Sequence, residues 1–176
     1  AHLPEQKQHT ETNTSFDSGE IKITGGALRM LQAAATYSPR TITKQRMAAI
    51  AGLSYKSGSF TTYMSTLKRN GLITGLGNSW NITDKGIEIA GDVPPLPTGD
   101  ELLEMWCKVV TGGAARMLRA LHSAYPNELS KEQLAEEAGL SVNSGSFTTY
   151  MSTLKRNGLI TVSGGSVKAA DELFEE

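Results

Sequence analysis

The sequence predicts a mainly α-helical protein with small β-hairpins (α+β), composed of two tandem copies of one unit. SGSFTTYMSTLKRNGLIT begins at Ser57 and recurs without change at Ser144, 87 positions later. The same offset aligns GGALRML, from Gly25, with GGAARML, from Gly112. In both copies, apolar residues at helical spacing precede β-prone residues around glycines. We therefore expect two small domains of similar fold.

The two copies have diverged unevenly. Of the 32 residues before the repeated stretch 14 are identical, against 18 of 18 within it. Two similar contacts with a partner would explain this concentration, whereas a recent duplication or gene conversion explains it without a function. The divergence of the adjoining residues weakens the second explanation.

Composition predicts a soluble, cytoplasmic protein without cofactors. No apolar run approaches the roughly 18 residues that span a bilayer, and the N-terminal residues contain no apolar signal region. Cys107 is the only cysteine, which excludes an internal disulfide, and its apolar neighbours predict a buried thiol. Because the first residue is not Met, we expect a processed chain or a fragment of a longer one.

Charge is distributed unequally although the net charge is only −1. Residues 25–74 contain seven basic and no acidic side chains, whereas residues 112–161 contain five basic and four acidic ones. We expect the first unit to bind a polyanion more strongly than the second. The seven cations are Arg29, Arg40, Lys44, Arg46, Lys56, Lys68 and Arg69.

Polar and proline-rich segments indicate the domain boundaries. Residues 1–19 are polar and aperiodic, which predicts a disordered arm or linker, or an expression tag. The first domain is expected over 20–92, a stiff Pro-rich linker over 93–99, and the second domain, with an N-terminal connecting helix, over 100–176.

Each unit begins with two predicted helices. Thr24 is placed to cap a first helix from Gly25 to about Tyr37, which Pro39 ends. A short second helix begins at Thr43. Its counterpart begins at Ser130, where Gln133 completes a capping box.

The end of the short helix is typical of a helix-turn-helix. Ala48 is followed four residues later by Gly52, then by Leu and Ser, and Ala135 and Gly139 repeat the pattern. The alanine allows the next helix to cross closely, and the glycine favours a left-handed turn. The turn is longer than usual because YKSG or VNSG follows.

A third helix is predicted from Ser59 to Asn70 and from Ser146 to Asn157, with a glycine stop after each. Phe60, Met64 and Leu67 share its apolar face, and short polar or cationic side chains occupy the opposite face. A hairpin follows in each unit. The predicted turns are Gly75–Ser79 and Ser163–Ser166, between strands Leu72–Thr74 and Trp80–Thr83, and between Leu159–Val162 and Val167.

The region between the units contains two further helical signals. Residues 83–92 have room for one helical turn. Thr98 and Glu101 match a capping box for a helix over 100–110, whose apolar stripe includes Trp106. We expect this helix to pack between the two units.

Three helices and a hairpin, repeated twice, correspond to two tandem winged helix-turn-helix domains. The series GALRML, AxxAGLS, SGSFTTYMSTLKRNGLI, PPLPTGDELLEMW, GGAARML and VKAADELF resembles the paired winged-helix region at the C-terminal end of bacterial HerA-like ATPases and related stand-alone proteins. The resemblance covers roughly residues 23–174. It implies a role beside an ATPase, although no GxxxxGK[ST] loop occurs in this chain.

The third helix of each unit is the predicted double-stranded DNA contact, and the hairpin glycines form the wings. Hydroxyl side chains suit close approach to a groove, and cations supply the salt-dependent contact with phosphate. The DNA-binding candidates are Lys56, Ser57, Ser59, Thr61, Thr62, Ser65, Lys68, Arg69, Asn143, Ser144, Ser146, Thr148, Thr149, Ser152, Lys155 and Arg156, and the wing candidates are Gly77, Asn78, Gly164 and Gly165.

Two other functions remain open. The units are alternatively protein-interaction modules that dock on an ATPase, or parts of a homodimeric repressor whose 100–110 helix makes the subunit contact around Trp106. Catalysis is not expected, because His2, His9 and His122 are scattered and no nucleophile has base partners nearby in the sequence. The acidic residues 171–176 are expected to form a solvated tail.

Overall fold

The computed structural model describes residues 22–23 and 25–174, and within them the chain is mainly helical with two small antiparallel sheets. The helices are α1 Gly25–Tyr37, α2 Lys44–Ile50, α3 Gly58–Arg69, α4 Asp84–Ala90, α5 Gly99–Val110, α6 Gly112–Ala124, α7 Lys131–Ala138 and α8 Gly145–Arg156. The strands are β1 Ile73–Leu76, β2 Ser79–Ile82, β3 Leu129–Ser130, β4 Ile160–Ser163 and β5 Ser166–Ala169, and a 3₁₀ helix spans Asp171–Phe174. The arm over 1–19, the Thr24 cap and the last two residues lie outside the described residues.

In each unit, the predicted helix starts and stops occur where local chemistry favours them. The Thr43 hydroxyl accepts a hydrogen bond from the Arg46 amide, and the Ser130–Gln133 capping box forms as predicted. Gly52 and Gly139 have φ of +74° and +71°, the left-handed conformation predicted for these turns. The long first helix therefore packs against two shorter ones in both units.

The hairpin turns are shorter than predicted. β1 pairs with β2 from Ile73 opposite Ile82 to Leu76 opposite Ser79, so the turn contains only Gly77 and Asn78. In the second unit Ser163 pairs with Ser166, and the turn is Gly164–Gly165. The predicted turns, Gly75–Ser79 and Ser163–Ser166, were wrong at their outer residues.

Gly75 lies within strand β1, opposite Trp80, and the closeness of that neighbour requires a residue without a side chain. A Cβ at this position would lie 2.2 Å from the Ser79 carbonyl oxygen and 2.8 Å from Trp80 Cα. These neighbours leave no room for a side chain, so the glycine permits close packing and does not form the turn.

We expect Gly75→Ala to lower the free energy of unfolding by about 1–3 kcal/mol, because backbone atoms must move to relieve the clash. Chemical denaturation followed by circular dichroism measures the loss. Gly165→Ala is the control, because a Cβ added there would have no heavy atom within 4 Å and φ is not left-handed. Equal stability of the two variants would contradict this role of Gly75.

The two sheets differ by one strand. In the second unit, β3 joins the hairpin to give the order β3–β5–β4. In the first unit the corresponding segment forms only an isolated bridge, in which Ile42 pairs with Trp80. In each unit, the residues just before the short second helix therefore pair with the second strand of the hairpin.

The connecting helix α5 packs between the units, as predicted. It contacts α2 of the first unit, α6 of the second unit and the 3₁₀ helix. The predicted Thr98–Glu101 capping box does not form, because the Thr98 side chain makes no capping hydrogen bond. Gly99, the first residue of the helix, has φ of +59°, so the backbone enters this helix differently from α7. Residues 84–90 form a capped helix, longer than the predicted single turn.

The C-terminal acidic segment is not a solvated tail over its described residues. Leu173 is fully buried, and the Phe174 ring stacks on Tyr125 at 3.7 Å between centroids. The Tyr125 hydroxyl donates a hydrogen bond to Asp171, and Glu172 binds Arg46. Leu173 and Phe174 anchor the described part of the segment, where Asp171 and Glu172 each bind a side chain of another element.

The buried apolar side chains form one cluster that extends through both units. Leu102, Leu103 and Trp106 of α5 belong to it. Trp106 is only 1% exposed. The role predicted for Trp106 at the centre of a subunit contact is therefore wrong, because its side chain packs inside the chain.

Candidate nucleic-acid interface

The repeated helices α3 and α8 each bury one apolar face and expose the opposite one. Phe60, Met64 and Leu67 are buried under α3, whereas Phe147 and Leu154 are buried under α8 and Met151 is half-buried. The exposed predicted contacts are Lys56, Ser59, Thr61, Thr62, Ser65, Lys68, Arg69, Asn143, Ser146, Thr148, Thr149, Ser152, Lys155 and Arg156. The two faces therefore offer the same hydroxyl and cationic groups.

Two predicted contacts, Ser57 and Ser144, cap these helices. The Ser57 hydroxyl accepts from the Phe60 amide at 3.1 Å and donates to the Ser54 carbonyl at 2.8 Å. Ser144 makes the equivalent bonds at the start of α8. Their side chains are half-buried and fix the N-terminal turn, so they position the faces and do not extend them.

The predicted wing residues are exposed, and each hairpin tip is hydrogen-bonded to the short second helix of its unit. The Lys44 amide donates to Asn78 Oδ1 at 2.9 Å, and Asn78 Nδ2 donates to Gln45 Oε1. In the second unit the Lys131 amide donates to the Gly165 carbonyl at 3.2 Å. The Asn78 side chain is thus used to hold the hairpin. Gly77, Gly164 and Gly165 are also exposed.

Cations lie around Trp80, near the tip of the first hairpin. Lys68 Nζ is 5.7 Å and Lys44 Nζ is 5.9 Å from the indole centroid. This distance is typical of a cation–π contact. The ring thus holds cations of α2 and α3 beside the hairpin.

At the junction of the units, the end of α8 contacts the turn that precedes α3. The guanidinium carbon of Arg156, the last residue of α8, lies 5.6 Å from the Tyr55 ring centroid. Lys56 Nζ lies 6.0 Å from the same ring, just before α3 begins. The C-terminal end of α8 is therefore near the N-terminal end of α3, and cations from both units contact Tyr55.

Arg46 must be removed from the predicted basic surface of the first unit. It is 8% exposed, and its guanidinium is paired with Glu172 at 2.7 Å. Burial alone would lower the pKa of Arg46, but the hydrogen bonds and charge of Glu172, together with Tyr37, raise it. Of the seven cations between residues 25 and 74, six remain for a polyanion.

Sequence reasoning overlooked Tyr55 and Leu76. The Tyr55 ring contacts both Lys56 and Arg156, and its only signal in the sequence is an aromatic side chain within a polar turn. Leu76 is 87% exposed at the tip of the first hairpin, where a turn had been predicted. Its counterpart in the second hairpin is Ser163, so the first tip alone is apolar.

The chemistry of the described residues outside these faces is limited. They contain no group of three or more His, Cys, Asp or Glu side chains able to hold a metal ion. Cys107 is buried as predicted, and burial raises the pKa of its thiol. In the described part of the chain, no helix has the length and apolar character needed to cross a bilayer.

Comparison with known proteins identifies no relative of this chain. No protein-family model, no curated protein and no solved structure matches it.

Proposed function

We propose that the two units are tandem winged helix-turn-helix domains that bind double-stranded DNA through α3 and α8. The element order, three helices followed by a hairpin in each unit, supports this assignment. The observation that carries it is the exposure of the same hydroxyl and cationic side chains on two identical helices. Packing alone does not require identity at exposed positions.

The arrangement of the groups suits a nucleic-acid backbone. Lys68 and Arg69 at the end of α3 supply charge for phosphate contact, and the exposed threonines and serines are short enough to reach base edges. Lys56 and Arg156 extend the positive surface across the junction of the units. One duplex that follows both helices would meet cations along its path.

A gel-shift titration with random duplex at low salt tests the proposal. We expect a shift at micromolar protein, in the range of non-specific binding. Selection of bound duplexes from a random pool should then give a repeated half-site, because the two helices present the same side chains. Absence of a shift at micromolar protein would contradict DNA binding.

Substitution of Thr62 or Ser65 by alanine should alter the sequence preference of the protein. These hydroxyls are exposed at the middle of the α3 face and carry no charge, so their loss should leave the salt dependence unchanged. Binding to the selected half-site and to variants with single base changes measures the effect. Thr74→Ala, exposed beyond the helix on β1, is the control. Unaltered discrimination in both helix variants would contradict base contact.

A protein-interaction module, docking on an ATPase or belonging to one, is the second candidate. Leu76 favours it, because an 87% exposed leucine at a hairpin tip suits an apolar partner surface. The acidic residues on α7 also leave the second unit nearly neutral. A chain that fails to shift random duplex would support this role.

A further inference from the structure

Among the described residues, the side-chain hydrogen bonds between the two units all come from one buried cation, Arg46 of α2. Arg46 Nε donates to the Asn157 carbonyl at 2.8 Å, and Nη2 donates to the Gly158 carbonyl at 3.2 Å. Both Nη atoms also bind the Glu172 carboxylate, at 2.7 and 2.8 Å. One side chain of the first unit thus binds three residues of the second.

Aromatic rings enclose the same guanidinium. Its central carbon lies 5.5 Å from the Trp106 ring centroid and 5.8 Å from that of Tyr37. Trp106 belongs to the connecting helix and Tyr37 to α1, so the cation also joins these elements. We call Arg46, Glu172 and the two carbonyl groups of Asn157 and Gly158 the clasp.

The two charged members of the clasp stand at positions where the two copies differ, whereas Asn157 and Gly158 match Asn70 and Gly71. At the 87-residue offset, Arg46 corresponds to Gln133 and Glu172 corresponds to Lys85. Gln133 is exposed and completes the capping box of α7, so the equivalent of the clasp is absent from that side of the second unit. Divergence has therefore produced an asymmetric contact, while the exposed faces stayed identical.

The clasp acts at the end of a DNA-contact helix. Asn157 and Gly158 directly follow Arg156, the last residue of α8. Arg46 lies on α2, which a short turn connects to α3. Tyr55 in that turn also contacts Arg156. The same contacts thus determine where α8 ends relative to the start of α3.

We infer that the clasp holds the two units in one relative orientation, so that α3 and α8 accept two half-sites at a single spacing and order. The orientation follows from the contacts of Arg46, and its consequence for half-sites rests on the proposed function. Two rigidly linked binding modules gain about 10²-fold or more in affinity only where the spacing permits both to engage. Arg46 is in this sense a positioning residue for spacing specificity.

Arg46→Gln should remove the contacts of the clasp while the first unit still folds. Glutamine is the residue that the second unit carries at this position and with which it folds. The variant can form a local capping box with Thr43, but its side chain is too short to reach Glu172. Gln133→Arg is the matched control, because Gln133 is exposed and lies outside the clasp.

Spin-label distances test the orientation without DNA. Labels are attached at Ser65→Cys and Ser152→Cys, equivalent exposed positions on α3 and α8, in a Cys107→Ala background. We expect one narrow distance distribution in the parent and in Gln133→Arg, and a broad one in Arg46→Gln. A narrow, unshifted distribution in Arg46→Gln overturns the inference. Glu172→Gln, which removes the charge partner, decides by the same measurement if Arg46→Gln does not fold.

Duplexes that carry two selected half-sites at varied separations test the consequence. The parent should prefer one separation by about 10²-fold over the others, and Arg46→Gln should bind all separations within a few-fold. Affinity for a single half-site should stay equal, because Arg46 is buried away from the exposed faces. Retained spacing preference in Arg46→Gln contradicts the role of the clasp. If no duplex binds at all, the proposed function fails, and the spin-label distances still decide whether the clasp orients the units.

Discussion

Trp106→Ala is expected to lower the free energy of unfolding by about 3–5 kcal/mol, the range for a fully buried large aromatic side chain. Trp106 is 1% exposed and belongs to the cluster that joins the two units. Its removal leaves a cavity under the connecting helix and takes away the ring beside the Arg46 guanidinium. Chemical denaturation followed by far-ultraviolet circular dichroism measures the loss.

Lys108→Ala is the control for this variant. Lys108 is exposed on the same helix, so its substitution should change stability by no more than about 0.5 kcal/mol. Trp106→Phe should retain much of the stability, since it keeps an aromatic ring in the core. A loss below about 1 kcal/mol in Trp106→Ala would contradict the central position of this side chain.

Replacing Lys68 and Arg69 together by alanine should reduce affinity for duplex DNA by roughly 10–100-fold, whatever its sequence. Each lost phosphate contact removes about 0.9 from the slope of log K against log salt, so the pair should flatten the slope by about 1.8. Both side chains are exposed in the last turn of α3. Titrations at several salt concentrations measure affinity and slope together.

Lys85→Ala with Lys108→Ala is the matched control, because it removes two exposed cations from α4 and α5. It should leave the slope within the error of the measurement. An unchanged slope in the α3 variant would contradict phosphate contact there. Equal flattening in both variants would mean that net charge, and not the α3 face, governs binding.

Local signals predicted the helices well because they act within a few residues. Ser130 and Gln133 form the capping box that their spacing indicates, and the glycines that end α2 and α7 adopt left-handed φ. The same spacing at Thr98 and Glu101 failed, because the backbone at Gly99 has a different geometry. A motif thus makes a hydrogen bond available, and the path of the backbone decides whether it forms.

Contacts between distant residues could not be predicted in this way. Gly75 resembles a turn glycine until Trp80 is placed opposite it, and the acidic C-terminal segment resembles a solvated tail until Leu173 is seen to be buried. In both cases, the decisive contact is with another strand or element, and a local sequence pattern contains no information about that neighbour. The candidate faces of α3 and α8 were easier to predict, since helical periodicity alone separates exposed from buried positions.

The sequence by itself determined the duplication, the order of helices and hairpins, and the polar face of each repeated helix. Only the tertiary structure decided that Arg46, one of seven apparently available cations, binds residues 111 to 126 positions away. Periodicity and capping depend on near neighbours, whereas the pairing of remote charges depends on how the two units and α5 pack. The sequence therefore gives the net charge of a unit, but burial and ion pairing decide which of its charged side chains can contact a partner.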